Sequence, residues 1–113
     1  MERSAIKNGV VIPERDAVMP VTLKAVQYSF SIYEALRVLH GEVVHLADHL
    51  ERLRASASAI DLVHPFTDQI IEDSINALIK ADSIEDATMR ILVVGGDEPL
   101  LFITYHELLS YPD

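Results

Sequence analysis

FSIYEALRV, Phe30 to Val38, alternates strictly: Phe30, Ile32, Glu34, Leu36 and Val38 fall on one face of an extended chain, and Ser31, Tyr33, Ala35 and Arg37 on the other. This spacing predicts a half-buried β-strand. It also puts Glu34 on the apolar face, where an unpaired carboxylate would be costly, so Glu34 needs a partner. A structural ion pair with an arginine is the reading its position favours.

Working outward, His40-Gly41 turns the chain into a second strand over EVVHL, residues 42–46. Asp48, followed three residues later by Glu51, resembles a capping box with Asp in place of Ser or Thr, so a helix is expected from about His49. Its apolar stripe is Leu50, Leu53, Ala57 and Ile60, while His49, Arg52 and Ser56 form a polar stripe beside it. Arg52 therefore stands near the helix start, off the core face. Thr67 can cap a second helix running to about Ala81, with Ile71, Ile75 and Leu78 inward and Asp68, Glu72 and Asp73 near its positive end.

ATMRILVV, residues 87–94, reads as another strand, Gly95-Gly96-Asp97 with Pro99 as a turn, and LLFITYH, residues 100–106, as its antiparallel partner. Near the start, KNGVVIPE, residues 7–14, carries an Asn8-Gly9 turn signal beside an apolar run, which suggests an opening β-hairpin or turn. Pro13 and Pro20 bracket a connecting segment. The order of strands, two helices and strands predicts an α+β fold, a two-layer α/β sandwich with a mainly antiparallel sheet.

Composition narrows the function classes. The 113 residues make one domain by length, half of them hydrophobic, and 18 acidic against 9 basic residues give a formal charge of -9. Nucleic acid and anionic membranes are poor partners for such a surface. The chain has no cysteine, which excludes disulfides, thiolate zinc sites and a cysteine nucleophile. Neither a signal-peptide core nor a membrane-length apolar run appears, and a cytoplasmic protein is expected. His45 and His49 are four apart, but HLADH lacks the glutamate of metalloprotease helices and no third ligand is evident, so no metal site is expected.

Two elements carry a resemblance. YSFSIYEALRV, Tyr28 to Val38, and HLADHLERLRASASAIDL, His45 to Leu62, joined by LHGEVV, resemble the signature of the class IV aminotransferases. These are the fold-type IV pyridoxal phosphate enzymes, which include branched-chain and D-amino acid aminotransferases and aminodeoxychorismate lyase. Essentially the whole chain is similar to the N-terminal small domain of that family.

The resemblance implies roles residue by residue. In the motif His49-Leu50-Glu51-Arg52-Leu53 it assigns Arg52 to the phosphate of pyridoxal 5'-phosphate, and a guanidinium, always charged and forked, suits phosphate oxygens. Tyr28 and Tyr33 match positions that line the substrate pocket, and Arg90 one near the substrate carboxylate. From the residues alone, Tyr33 reads equally well as strand packing and Arg90 as a strand residue facing acidic surface. Arg37 and His49 are read as structural. Where the family commonly has a glycine-rich Y-G-x-G-x-F-E, this chain has Tyr28-Ser29-Phe30-Ser31-Ile32-Tyr33-Glu34, which leaves the substrate class open.

An enzyme of this type needs a lysine to hold its cofactor. Lys7, Lys24 and Lys80 are the only lysines, and none lies in a matching context. The expectation is that residues 1–113 form the N-terminal small domain of a longer transaminase whose catalytic C-terminal domain is absent, with SYPD, residues 110–113, as an interdomain linker. By itself the chain would be inactive. The complete enzyme would convert amino acids to 2-oxo acids as a homodimer. The rival expectation is a stand-alone, non-catalytic binding or dimerisation module of the same fold, or an aminodeoxychorismate lyase-like domain.

Overall fold

Apolar residues recur at every second position through Ser31–Leu39 (β3), Ala87–Val94 (β5) and Leu100–Glu107 (β6), and these strands form the body of a single antiparallel sheet. The computed structural model describes residues 2–107. Ser4–Lys7 (β1) and Val10–Pro13 (β2) extend the sheet beside β6, and Glu42–Val43 (β4) ends it beside β3, in the order β2-β1-β6-β5-β3-β4. Two long helices, Leu46–Ala59 (α2) and Asp68–Asp82 (α3), follow β4, and a one-turn helix, Lys24–Gln27 (α1), precedes β3. No helix among the described residues is long and apolar enough to cross a membrane.

The alternation does what its period demands. Ile32, Leu36 and Val38 of β3 join Met89, Ile91 and Val93 of β5 and Leu101 and Ile103 of β6 on one side, where Leu50, Leu53 and Ala57 of α2 and Ile71, Ile75 and Leu78 of α3 complete one core. The expected α+β architecture, two helices over one antiparallel sheet, is thus the architecture found. On the other side no long helix packs among the described residues. The register aligns Tyr33 with Leu92 and Phe102, and Ala35 with Arg90 and Thr104, so these residues share that second face. A smaller cluster, in which Ala17, Met19, Ala25 and Phe30 pack on Val94, Leu92, Leu100 and Phe102, covers part of it.

Several local expectations hold. Asn8 and Gly9 both take positive φ, 52° and 87°, as the two-residue turn joining β1 to β2 requires. The Asn8 side chain accepts from the Leu101 N–H at 2.8 Å while its own N–H donates to the Leu101 carbonyl, so the hairpin tip continues the sheet onto β6. Thr67 caps α3, accepting from the Ile70 N–H at 3.2 Å, and Arg54 forms an ion pair with Asp68 that links the two long helices. At Gly95 even a methyl group would stand 2.5 Å from the Phe30 ring, so the close crossing of these two segments depends on the missing side chain.

Others need correction. Helix α2 begins at Leu46 rather than His49, and Asp48 does not cap it. His45 occupies the cap position in a left-handed conformation, φ 57°, and Asp48 lies inside the first turn, 3.8 Å from the His45 ring. The earlier start lets Leu46 reach the core, and that sharp bend also cuts the second strand from EVVHL to Glu42–Val43. At the other end Ile60 falls outside the helix and is exposed. Leu62, after a left-handed turn at Asp61, is buried instead. Phe30 precedes β3 instead of opening it, the expected connecting segment between Pro13 and Pro20 contains a single 3-10 turn, Glu14–Asp16, and α1 follows that segment. The segment SYPD lies outside the described residues.

Candidate functional site

Glu34 and Tyr33 are neighbours on β3, so their side chains leave the strand on opposite faces. Each anchors a different cluster. On the helix side, Glu34 Oε1 accepts from Arg52 Nε at 3.0 Å and stands 2.7 Å from His49 Nδ1. The arginine partner expected for Glu34 is therefore Arg52, the residue that the resemblance assigns to phosphate. His49, read from the sequence as a helix-start residue, is part of the same network. The polar stripe of α2 brings both within reach because His49 and Arg52 are three apart, one helical turn.

Charge and burial act against each other at Glu34. Its side chain is only 15 % exposed. Burial pushes its carboxyl up, but the hydrogen bonds from His49 and Arg52 and the guanidinium charge outweigh this and hold it below its ordinary range. Arg52 is 61 % exposed, and the guanidinium meets the carboxylate only through Nε. Among the described residues nothing binds its Nη1. A bidentate pair would have used up the fork; this single-point contact leaves Nη1 open while Nη2 stands 2.7 Å from His49 Nδ1, and a forked guanidinium suits phosphate.

On the side away from the long helices, Tyr33 and Arg90 line a concavity of about 320 Å³ together with Leu92, Phe102, Thr104, Ala17 and Met19. Tyr33 is 68 % exposed, which removes the strand-packing reading for its ring. The lining is apolar apart from Arg90, Thr104 and the tyrosine hydroxyl. That suits a ligand with a hydrocarbon body and one acidic group. Phe102 and Thr104 were not singled out from the sequence, although their alternation in LLFITYH assigns them to the face opposite Leu101 and Ile103. Ala17 and Met19 carried no signal, since they reach the face from a loop.

Tyr28 stands apart. It ends α1, is 78 % exposed, and lines a separate depression with Lys24, Ala25, Phe30 and Gly96. Of the four residues singled out for binding, Tyr33 and Arg90 are thus brought together, Arg52 lies across β3 from them, and Tyr28 lies beyond the strand's start. The outer edge of β3 separates the first two clusters, and β4 covers it only at Val38 and Leu39. Lys7, on the same face as Phe102, has its Nζ 5.9 Å from that ring and donates to the Val18 carbonyl at 3.2 Å. Among the described residues no group of three His, Asp or Glu side chains is disposed to hold a metal.

Comparison with known proteins gives the family and the fold. Residues 31–112 match the family profile of amino-transferase class IV. A probable branched-chain-amino-acid aminotransferase of Rickettsia felis is 37% identical over 93 residues, covering 82% of this chain and 32% of the relative. Among solved structures, the branched-chain aminotransferase of Thermoproteus uzoniensis with norvaline superposes with a TM-score of 0.87 at 21% identity, over 97% of this chain and 42% of that one. The T.th. branched-chain amino acid aminotransferase with pyridoxamine 5'-phosphate does so with a TM-score of 0.87 at 19% identity, over 98% and 41%. The chain therefore spans about a third of the length of the curated relative it matches.

Proposed function

The chain belongs to the amino-transferase class IV family, and from that premise we propose that it is the N-terminal small domain of a pyridoxal 5'-phosphate-dependent aminotransferase of branched-chain or D-amino acid type, forming one wall of the active site. The observation that carries this reading is the back-to-back arrangement on β3, with Arg52 on one face and Tyr33 and Arg90 on the other, at an edge that β4 leaves open. In this reading Arg52 takes the cofactor's phosphate through its terminal nitrogens. Arg90 holds the substrate carboxylate, and Tyr33, with Tyr28 at the rim, bounds its side chain. When bound, pyridoxal phosphate supplies an aldehyde for the amino group and a ring that accepts electron density as the α-proton leaves. This chain's residues bind and orient; moving the proton needs a lysine, and Lys7 is engaged with Val18. We therefore read residues 1–113 as inactive alone and the complete enzyme as a cytoplasmic homodimer that interconverts amino acids and 2-oxo acids.

The test is a graft. This chain is exchanged for the matching segment of the Rickettsia felis relative, and transamination of a branched-chain amino acid is assayed. The chimera is expected to turn over, while the 113-residue chain alone with pyridoxal phosphate is not. Arg52→Ala in the chimera should weaken cofactor binding by roughly ten- to a hundredfold, the effect of one charge-assisted contact. Turnover by the isolated chain, or unchanged cofactor affinity in Arg52→Ala, overturns the reading.

A further inference from the structure

One oxygen, Glu34 Oε1, faces two nitrogens at once, His49 Nδ1 at 2.7 Å and Arg52 Nε at 3.0 Å. Arg52 Nη2 in turn stands 2.7 Å from the same His49 Nδ1. A neutral ring nitrogen is either a donor or an acceptor, so Nδ1 cannot donate to the carboxylate and accept from the guanidinium together. Glu34 decides between them. Its carboxyl is held below its ordinary range and is ionised at neutral pH, and an ionised carboxylate only accepts. An unprotonated Nδ1 would set lone pair against lone pair at 2.7 Å, beside a carboxylate that is only 15 % exposed. Nδ1 therefore carries the hydrogen and donates it to Glu34.

The consequence falls on Arg52. Its Nη2, 2.7 Å from that nitrogen, then meets an N–H instead of an acceptor and must turn off the ring to find one, while Nη1 has no partner among the described residues. The root of the guanidinium is bound through Nε while its outer nitrogen, Nη1, has no partner among the described residues. A long, flexible side chain that is 61 % exposed would otherwise sample many rotamers.

We propose that Glu34 and His49 are positioning residues of an anion site: Glu34 grips Arg52 through Nε, His49 in its Nδ1–H form locks Glu34 and offers Nη2 no acceptor, and Nη1, joined by Nη2 once it turns off the ring, is left for the oxygens of a phosphate monoester. This rests on the reading of Arg52 as the phosphate ligand and adds what aims it. A purely electrostatic view makes the opposite prediction, because Glu34 is a negative charge beside the anion and its removal should tighten binding.

The experiment uses the ¹⁵N-labelled 113-residue chain, titrated with inorganic phosphate and, separately, with pyridoxal phosphate. Ring spectra of His49 above its titration range are expected to give the Nδ1–H tautomer, and Glu34→Gln, which keeps the shape but can itself donate, should shift the balance toward Nε2–H. The Arg52 Nε–H signal should be slowed in exchange in the wild type and lose that protection in Glu34→Ala. The Arg52 Nη signals should respond to both ligands if the monoester alone is recognised, and to pyridoxal phosphate only if the ring contributes. Either response should weaken roughly tenfold in Glu34→Ala, with Glu34→Gln as the folded control. An Nε2–H tautomer in the wild type, or undiminished binding in Glu34→Ala with Arg52 still responding, overturns the positioning role alone. Silence of Arg52 towards both ligands overturns the phosphate assignment, and the positioning role falls with it.

Discussion

Along β5, Met89, Ile91 and Val93 face the long helices and are closed to solvent, whereas Arg90 and Leu92, interleaved with them, look out over a concavity of about 320 Å³. The two faces are made by one strand with one backbone, and they differ only in what covers them. On the helix side, burial of each large aliphatic side chain contributes about 1.5–3 kcal/mol, which is where the fold draws its stability. The other face has only a thin cover from residues 17–30, which lets an arginine and a tyrosine stay accessible. Along β5 burial thus falls to Met89, Ile91 and Val93 and access to Arg90 and Leu92, and the division can be tested.

The largest effect is expected on the covered face. Leu78→Ala, at a position with no solvent exposure, should cost about 2–5 kcal/mol in denaturant unfolding. A loss below about 1 kcal/mol would mean that this face is not the stabilising one. A smaller effect is expected at the seam between helix and sheet, where Asp82 Oδ2 accepts from the Ser4 N–H at 2.7 Å and from the Tyr105 hydroxyl at 2.6 Å. Asp82→Ala strands both donors and should cost about 1–3 kcal/mol.

Acid sharpens the same point. Burial raises the Asp82 carboxyl, but the Ser4 and Tyr105 hydrogen bonds outweigh it and hold it below its ordinary value of 3.8, as the Arg52 and His49 contacts hold Glu34 below 4.5. Because these values are depressed in the folded state, the stability they contribute is complete above the ordinary values and is lost as pH falls through the lower, folded ones. Wild-type stability should therefore decline below about pH 4, and Asp82→Ala should decline less steeply there; parallel curves would remove Asp82 from the account. The smallest effect belongs to the open face, where Tyr33→Ala should stay within about 0.5 kcal/mol of the wild type in the same assay.

Much of this division was legible in FSIYEALRV and ATMRILVV, because which face a strand residue takes depends only on its own position in a period of two. Glu34 could be recognised as needing an arginine for the same reason. Which arginine could not be read so directly. Arg52 and Arg54 both follow in the same helix, and Arg52 meets Glu34 because α2 starts at Leu46 and lies along β3, while Arg54 turns to Asp68. The misread helix start has a similar origin: Asp48 and Glu51 have the local signs of a cap, but the burial of Leu46 and the left-handed turn at His45 override them. Tyr28 and Tyr33 look like partners in sequence, but Tyr28 closes α1 and the left-handed turn at Ser29 stands between it and β3.

Strand and helix periods, the Asn8-Gly9 turn, the Thr67 cap and the apolar stripes were settled by the order of residues, since each rests on contacts within a few positions. The sheet order that sets β1 beside β6 and β5 between β6 and β3 depended on tertiary packing. So did the cover of residues 17–30, the convergence of Asp82 with Ser4 and Tyr105, and the meeting of Glu34, His49 and Arg52. Their partners are distant along the chain, and only burying the apolar faces together brings them within a hydrogen bond of each other.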